Sequence, residues 1–153
     1  MLNSTQRIGK EKIVIIIPVI AIILIIAYYI VGNPFVRFNN YRLKQSIKAI
    51  SKTEVTLNEV VPFEWDAVYT FEPYTSKAEI EKIIGFKSNE IEETISEGMV
   101  QLLFVKGGSI PASVCGYAEN LGYELKFENK VEFKENAVFE VKINDGIVSL
   151  TKK

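Results

Sequence analysis

The stretch Ile13–Val31, IVIIIPVIAIILIIAYYIV, holds nineteen consecutive residues without a charge. At a rise of about 1.5 Å per residue, a helix of this length reaches roughly 28 Å, which is close to the hydrocarbon thickness of a bilayer. A helix this long in a soluble protein would carry a polar face, because one side of it would meet water. The stretch therefore predicts one transmembrane helix, preceded by a short polar tail at residues 1–12.

The same stretch has a second interpretation as the apolar part of a cleaved signal peptide. Three basic residues stand just ahead of it, as they would in the charged region of such a peptide. However, the best cleavage candidate, Gly32, has Ile30 two places before it, which is a weak match to the small-x-small pattern. The run is also longer than a usual signal-peptide core, so an uncleaved anchor is the preferred interpretation.

The charges on either side of this helix do not decide its orientation. Three Lys or Arg residues precede it and three follow it closely, which is a tie under the positive-inside rule. A short tail, one span and then a folded domain is the usual plan of a signal-anchored protein with its domain outside. We therefore predict a single-pass protein of the cell membrane with an extracytoplasmic C-terminal domain, whose first partner is the lipid bilayer.

Charge is strongly segregated along the rest of the chain. Residues 37–52 hold five basic residues and no acid, whereas residues 53–153 hold ten basic and eighteen acidic residues. Nucleic-acid recognition depends on clustered positive charge. The acidic domain is therefore a poor candidate for binding nucleic acid.

Residues 32–55 read as a basic juxtamembrane helix and linker. Leu43, Ile47 and Ile50 fall on one stripe of a helix predicted over Asn40–Ser51. Basic residues lie around the other side and are candidates for contact with lipid headgroups: Arg42, Lys44, Lys48 and Lys52. The alternative is that the aliphatic stripe packs onto the domain and leaves these basic side chains in solvent.

Residues 56–153 predict an α+β domain, a mostly antiparallel sheet of five or six strands with one or two packed helices. A strand with alternating apolar residues runs from Trp65 to Phe71. Ser76 and Glu79 form a capping box for a helix that stops at Gly85, and Asn89 suggests a second short helix.

Hairpins dominate the second half of the domain. Gly107 and Gly108 join an apolar strand, Met99–Lys106, to a returning strand over Ile110–Cys115, and a further strand is expected near Tyr123. The last hairpin turns at Asp145-Gly146, which pairs Ile143 with Val148 and Val141 with Leu150.

Candidates for chemistry are few. The chain has no histidine and one cysteine, Cys115, so Ser-His-Asp and Cys-His pairs are excluded. It also lacks a phosphate-binding glycine loop and zinc-type cysteine spacing. We therefore predict no catalytic residue, no cofactor and no metal site. Carboxylates keep one alternative open, a carboxylate-dependent hydrolase: Glu64, Asp66, Glu72 and Glu119.

Four local sequences are distinctive: Phe63-Glu64-Trp65-Asp66, Pro73-Tyr74-Thr75-Ser76, Glu97-Gly98-Met99 and Ser113-Val114-Cys115-Gly116-Tyr117. Together they resemble an uncharacterised family of small secreted or membrane-anchored proteins of Gram-positive bacteria with no assigned activity. The resemblance implies a location at the cell surface and an outward-facing domain, and it implies no substrate.

A non-enzymatic binding module at the cell surface fits these observations best. Its partner would be a protein, and large aromatic residues are the candidate contacts, since such residues anchor interfaces when they are exposed: Trp65, Tyr69, Tyr74, Tyr117 and Tyr123. An immunity protein or a sensor-accessory subunit of a membrane complex is the alternative within this class.

Overall fold

The computed structural model describes residues 16–23 and 32–153. Residues 16–23 are helical, while residues 1–12 and the remainder of the predicted span, 13–15 and 24–31, lie outside the described residues. Within the described part, no helix is both long and apolar enough to cross a membrane. Phe35–Lys153 forms a compact unit.

Four helices and eight strands make up this unit. The helices are α1 (Pro34–Lys48), α2 (Leu57–Val60), α3 (Lys77–Ile84) and α4 (Ala118–Leu121), with one 3-10 turn at Phe133–Glu135. The strands are β1 (Glu54–Thr56), β2 (Ala67–Tyr69), β3 (Met99–Lys106), β4 (Ser109–Tyr117), β5 (Tyr123–Lys126), β6 (Lys130–Glu132), β7 (Val138–Asn144) and β8 (Ile147–Lys152).

The strands form two four-stranded sheets, in the orders β1-β7-β8-β5 and β4-β3-β2-β6. Every strand pair is antiparallel except β5 with β8. The predicted α+β class with mostly antiparallel pairing is confirmed. The prediction of one sheet with five or six strands was wrong, because β5, β7 and β8 pair among themselves and with β1, while β2, β3 and β4 pair among themselves and with β6.

The last hairpin has the predicted register. Ile143 pairs with Val148 and Val141 pairs with Leu150. Asp145 and Gly146 both have positive φ, 49° and 79°, which is the backbone that a two-residue hairpin turn requires. The alternation along β7 and β8 and the turn residues agree, so local sequence specifies this element.

Helix α1 begins at Pro34, six residues before the predicted start, and proline suits the first turn because it has no N–H to satisfy. Leu43 and Ile47 are fully buried in the core. The aliphatic stripe therefore packs onto the domain, as the second interpretation of this helix stated. With α1 and β1 included, the folded unit begins well before residue 56.

Two asparagines attach α1 to the outer edge of β4. Asn39 donates from Nδ2 to the Pro111 carbonyl at 3.0 Å. Asn40 donates to the Ser113 carbonyl at 2.6 Å and accepts from the Ser113 N–H at 3.1 Å. These bonds satisfy backbone groups of an edge strand, which would otherwise be open to another chain.

Helix α3 is confirmed with both of its predicted ends. The Ser76 side chain accepts from the Glu79 N–H, and the Glu79 carboxylate accepts from the Ser76 N–H, while Gly85 ends the helix at φ 87°. The prediction of a second short helix after Asn89 was wrong. Carbonyls in that segment instead accept tertiary hydrogen bonds, from Gln101 Nε2 to Glu92 and from Tyr74 N–H to Thr94.

The buried residues form two clusters. The larger draws on α1 and on both sheets and includes Trp65, Phe104, Tyr123 and Phe139. The smaller lies between α3 and β3 around Ile80 and contains four buried residues. The segment that follows β2 runs along this smaller cluster and leads to the candidate site.

Candidate functional site

The candidate site is a four-residue turn, Glu72–Thr75, between β2 and α3. The Thr75 N–H and its side-chain hydroxyl both donate to the Glu72 carbonyl, at 3.2 and 2.7 Å. Pro73 occupies the second position of the turn, and Tyr74 occupies the third with φ 67°. This is the pattern of a type II turn, whose third position normally holds glycine or asparagine.

Tyr74 therefore occupies a backbone conformation that its side chain disfavours. A residue with a β-carbon pays roughly 1–2 kcal/mol in the left-handed region, whereas glycine enters it freely. The other described non-glycine residues with positive φ are Asn129, Asn136 and Asp145, residue types that tolerate this region. Tyr74 is 64% exposed, so burial of its ring does not offset the strain.

The turn is held against the loop that precedes β3. The Tyr74 N–H donates to the Thr94 carbonyl at 3.1 Å, and the Lys77 N–H at the start of α3 donates to Glu93 Oε1 at 2.5 Å. Ile95, which follows Thr94 in that loop, is 76% exposed. We call Tyr74 and Ile95 together the Tyr74 surface: two exposed large side chains whose backbones are joined by the hydrogen bond from the Tyr74 N–H to the Thr94 carbonyl.

Two of the five predicted contact residues lie in the core. Trp65 is 3% exposed, and it packs edge-to-face on Phe104 and Phe133. Tyr123 is 1% exposed, and burial raises the pKa of its hydroxyl. Neither side chain presents a surface to a partner, which corrects the expectation for both.

In the part of the chain described, no ring contact joins Tyr74 to the other two aromatic candidates, Tyr69 and Tyr117. Tyr69 is half-buried, stacks on Phe71 at 6.0 Å between ring centres and has Lys130 Nζ 5.5 Å from its ring centre. Tyr117 is exposed at the end of β4. The structure thus leaves Tyr74 as the most exposed of the predicted contacts.

The four basic residues predicted to meet lipid headgroups have different surroundings. Lys44 Nζ donates to the Asn120 carbonyl at 3.2 Å, and Lys48 lies over Gly122. Lys52 forms an ion pair with Glu59 at 3.2 Å. Arg42 lies over the ring of Phe38. Sequence reasoning missed Phe38 and two further exposed aromatic residues of this helix, Phe35 and Tyr41.

Cys115 lies in an open groove of about 380 Å³ between α1 and β4. Burial, and then the charge of Glu92, raise the pKa of its thiol, so the thiolate is scarce at neutral pH. Arg37 and Lys44 line the same groove. Charges of both signs therefore face the groove, and it favours no particular ligand charge.

Asp66, one of the four candidate carboxylates, is engaged by the turn between β3 and β4. Asp66 accepts from Lys106 Nζ and from the Gly107 N–H, each at 2.9 Å, and these bonds lower its pKa. Its role is to hold the turn between β3 and β4. Across residues 16–23 and 32–153, no group of three or more Asp, Glu, Cys or His residues is placed to hold a metal ion.

Comparisons with protein-family models, with characterised protein sequences and with solved structures give no match to this chain.

Proposed function

We propose that the protein is anchored in the cell membrane through Ile13–Val31 and that its extracytoplasmic domain is a non-enzymatic module that binds a protein partner through the Tyr74 surface. The observation that carries the binding role is an exposed tyrosine at φ 67°. We expect a glycine at this position to make the isolated domain more stable, which favours a role for the ring outside folding.

The turn also prepares the ring for binding. Pro73 restricts the backbone before Tyr74, and the bond to Thr94 ties the turn to a second loop. A tyrosine has few rotatable bonds for its area, so a fixed backbone lowers the entropy lost on association. Ile95, which follows the Thr94 carbonyl that the Tyr74 N–H bonds, is a second exposed apolar side chain in the tethered loop.

The surroundings of Cys115 and Asp66 favour binding over catalysis. The raised pKa of Cys115 disfavours a nucleophilic thiolate, and Asp66 is engaged by Lys106 and the turn backbone. General acid–base work needs a group poised to exchange a proton near the operating pH. Neither residue meets that requirement.

Photo-crosslinking in intact cells tests the binding role. A photoreactive phenylalanine derivative replaces Tyr74 in the full-length protein, and in a matched variant it replaces Tyr117, which is also exposed and aromatic. We expect position 74 to give an adduct of defined mass that position 117 does not give. Purified wild-type protein competes for this adduct, and the Tyr74→Gly variant competes weakly.

The expected loss of affinity is about 2 kcal/mol, or roughly 30-fold, as for an aromatic anchor at the centre of an interface. Equal adducts at positions 74 and 117, or equal competition by wild type and Tyr74→Gly, would contradict the proposal. Because Tyr74→Gly should relieve backbone strain, we expect it to stay folded, and urea denaturation of the same variant separates a loss of competition from unfolding.

A further inference from the structure

Helix α1 has an outer face that the core does not use. Phe35, Phe38 and Tyr41 are 78%, 59% and 60% exposed. At about 100° per residue, Phe38, Tyr41 and Gln45 share one stripe on the side opposite Leu43 and Ile47. Exposed apolar side chains that cluster in this way mark a contact surface.

The outer face cannot rotate toward the core. Leu43 and Ile47 are fully buried, and Asn40 makes two hydrogen bonds to the Ser113 backbone, at 2.6 and 3.1 Å. Turning the helix about its axis would expose both aliphatic side chains and break both bonds. The aromatic stripe is therefore a fixed outward feature.

Positive charge borders the stripe on both sides. Arg42 lies along one edge, with its guanidinium carbon 5.6 Å from the centre of the Phe38 ring. Arg37, Lys44 and Lys48 follow the other edge at helical spacing. No acidic residue occurs between Glu11 and Glu54, and the acidic residue that the fold brings to this helix is Glu92, which lines the groove with Arg37 and Lys44.

Along the sequence, this face begins soon after the apolar stretch. Phe35 follows Val31 by four residues, and four extended residues reach at most about 14 Å. Aromatic rings concentrate at the headgroup level of bilayers, and basic side chains near an anionic surface are attracted to it.

We infer that the outer face of α1 lies on the headgroup layer of an anionic membrane, with Phe38 and Tyr41 inserted and Arg37 and Arg42 meeting lipid phosphates. This inference rests on the anchoring part of the proposed function and adds that the domain is held against the bilayer by α1. It reverses the predicted geometry, because the aliphatic stripe faces the core and a separate aromatic stripe faces the lipid.

Depth-dependent quenching tests this contact in the full chain. A polarity-sensitive fluorophore is attached at position 45 through Gln45→Cys in a Cys115→Ser background, and the control carries Lys87→Cys instead, an exposed position after α3. Both proteins are reconstituted into vesicles of phosphatidylcholine and phosphatidylglycerol. Nitroxides on the lipid headgroups should quench the label at position 45 severalfold more than the label at position 87.

Variants separate the aromatic from the charged contribution. Phe38→Ser with Tyr41→Ser should bring quenching at position 45 down to the level at position 87, whereas Ile83→Ser, an exposed isoleucine on α3, should not change it. Removing a positive charge with Arg37→Gln or Arg42→Gln should lower the ratio of bound to detached α1 about fivefold each. Pure phosphatidylcholine vesicles should give a larger loss than either variant, because every basic side chain along the stripe then loses its attraction to the surface.

Three outcomes would overturn the inference. Equal quenching at positions 45 and 87, in protein that resists an alkaline carbonate wash, would reject it and leave the anchor intact. An apolar but unquenched label at position 45 would show that protein, such as a second copy of the chain, covers α1. Release of the protein by carbonate would reject the anchor and this inference together, while the crosslink from position 74 tests partner binding separately.

Discussion

Trp65 and Tyr74 lie nine residues apart, and both read from the sequence as candidate contact residues, yet the fold treats them in opposite ways. Trp65 is 3% exposed and Tyr74 is 64% exposed. Trp65 packs edge-to-face on Phe104 at 6.0 Å and on Phe133 at 5.4 Å, whereas Tyr74 lies in a strained turn. The first residue adds to the stability of the domain, and the second reduces it.

Backbone hydrogen bonds next to each residue explain the difference. The Asp66 N–H donates to the Val105 carbonyl at 2.7 Å and the Phe133 N–H donates to the Asp66 carbonyl at 2.8 Å, so Trp65 is held between β3 and the segment after β6. Tyr74 is bonded through its N–H to the Thr94 carbonyl in a surface loop. The backbone beside Trp65 is thus bonded on both sides, to β3 and to the segment after β6, whereas Tyr74 is bonded on one side to a surface loop, and this difference separates the scaffold aromatic from the surface one.

Truncation of Trp65 should have the largest effect on stability. Trp65→Ala removes a buried ring and its two edge-to-face contacts, and we expect the free energy of unfolding to fall by about 3–5 kcal/mol. Urea denaturation followed by far-ultraviolet circular dichroism measures the change, since the variant has no tryptophan fluorescence.

Tyr74→Ala is the matched control for that measurement. It also removes an aromatic ring, but from an exposed position, so its unfolding free energy should stay within about 0.5 kcal/mol of wild type. Similar losses in the two variants would show that the contrast between core and surface is wrong.

Local elements of the fold were predictable from sequence because their determinants are adjacent along the chain. The Asp145-Gly146 turn and the alternation on either side specify one register, and Ser76 and Gly85 mark the ends of α3. The strands β1 and β6 were not predictable, because three residues are too few to show a pattern. The division into two sheets was not predictable either, because it depends on which strands pair across long stretches of sequence, such as β5 with β8 and β2 with β3.

The candidate site was predictable only as a set of residue types. Pro73 suggests a turn, but turns of types I and II both accept proline at that position, and only type II requires positive φ at Tyr74. The outer face of α1 was missed for a related reason. The helical spacing of Leu43, Ile47 and Ile50 placed the predicted start of the helix at Asn40. Phe35 and Phe38 precede that position, so they were not assigned to a helix face.

Relief of strain at Tyr74 should have a smaller effect, and one of opposite sign. Tyr74→Gly removes a left-handed penalty of roughly 1–2 kcal/mol and adds an entropy cost of about 0.5–1 kcal/mol in the unfolded state. We expect a net gain of about 0.5–1 kcal/mol in the free energy of unfolding, measured by urea denaturation. A loss of stability would show that the ring supports the fold and would remove the argument for a binding role.

Ion pairs beside the buried aromatic should have the smallest effect, visible as a pH dependence. Glu132 precedes Phe133, which packs on Trp65, and its carboxylate accepts from Lys130 and Lys134 at 2.7 Å each. The Lys130 ammonium first, and then that of Lys134, lower the pKa of Glu132 from 4.5 to about 2. A lowered carboxylate pKa stabilises the folded state above about pH 4.5, and that contribution is lost as the pH falls toward 2.

The Glu132→Gln variant should therefore be less stable than wild type at neutral pH, and the difference should shrink between pH 4.5 and pH 2 in urea titrations of both proteins. Added salt should reduce the difference at neutral pH, because these side chains are partly exposed and their pairing is screened.

Glu79→Gln, at the capping box of α3 near Tyr74, is the control. The Ser76 hydroxyl and N–H lower the pKa of the Glu79 carboxyl, so the contribution of Glu79 to stability at neutral pH should respond less to salt. A difference between wild type and Glu132→Gln that does not change with pH would mean that Glu132 acts through packing and not through its charge.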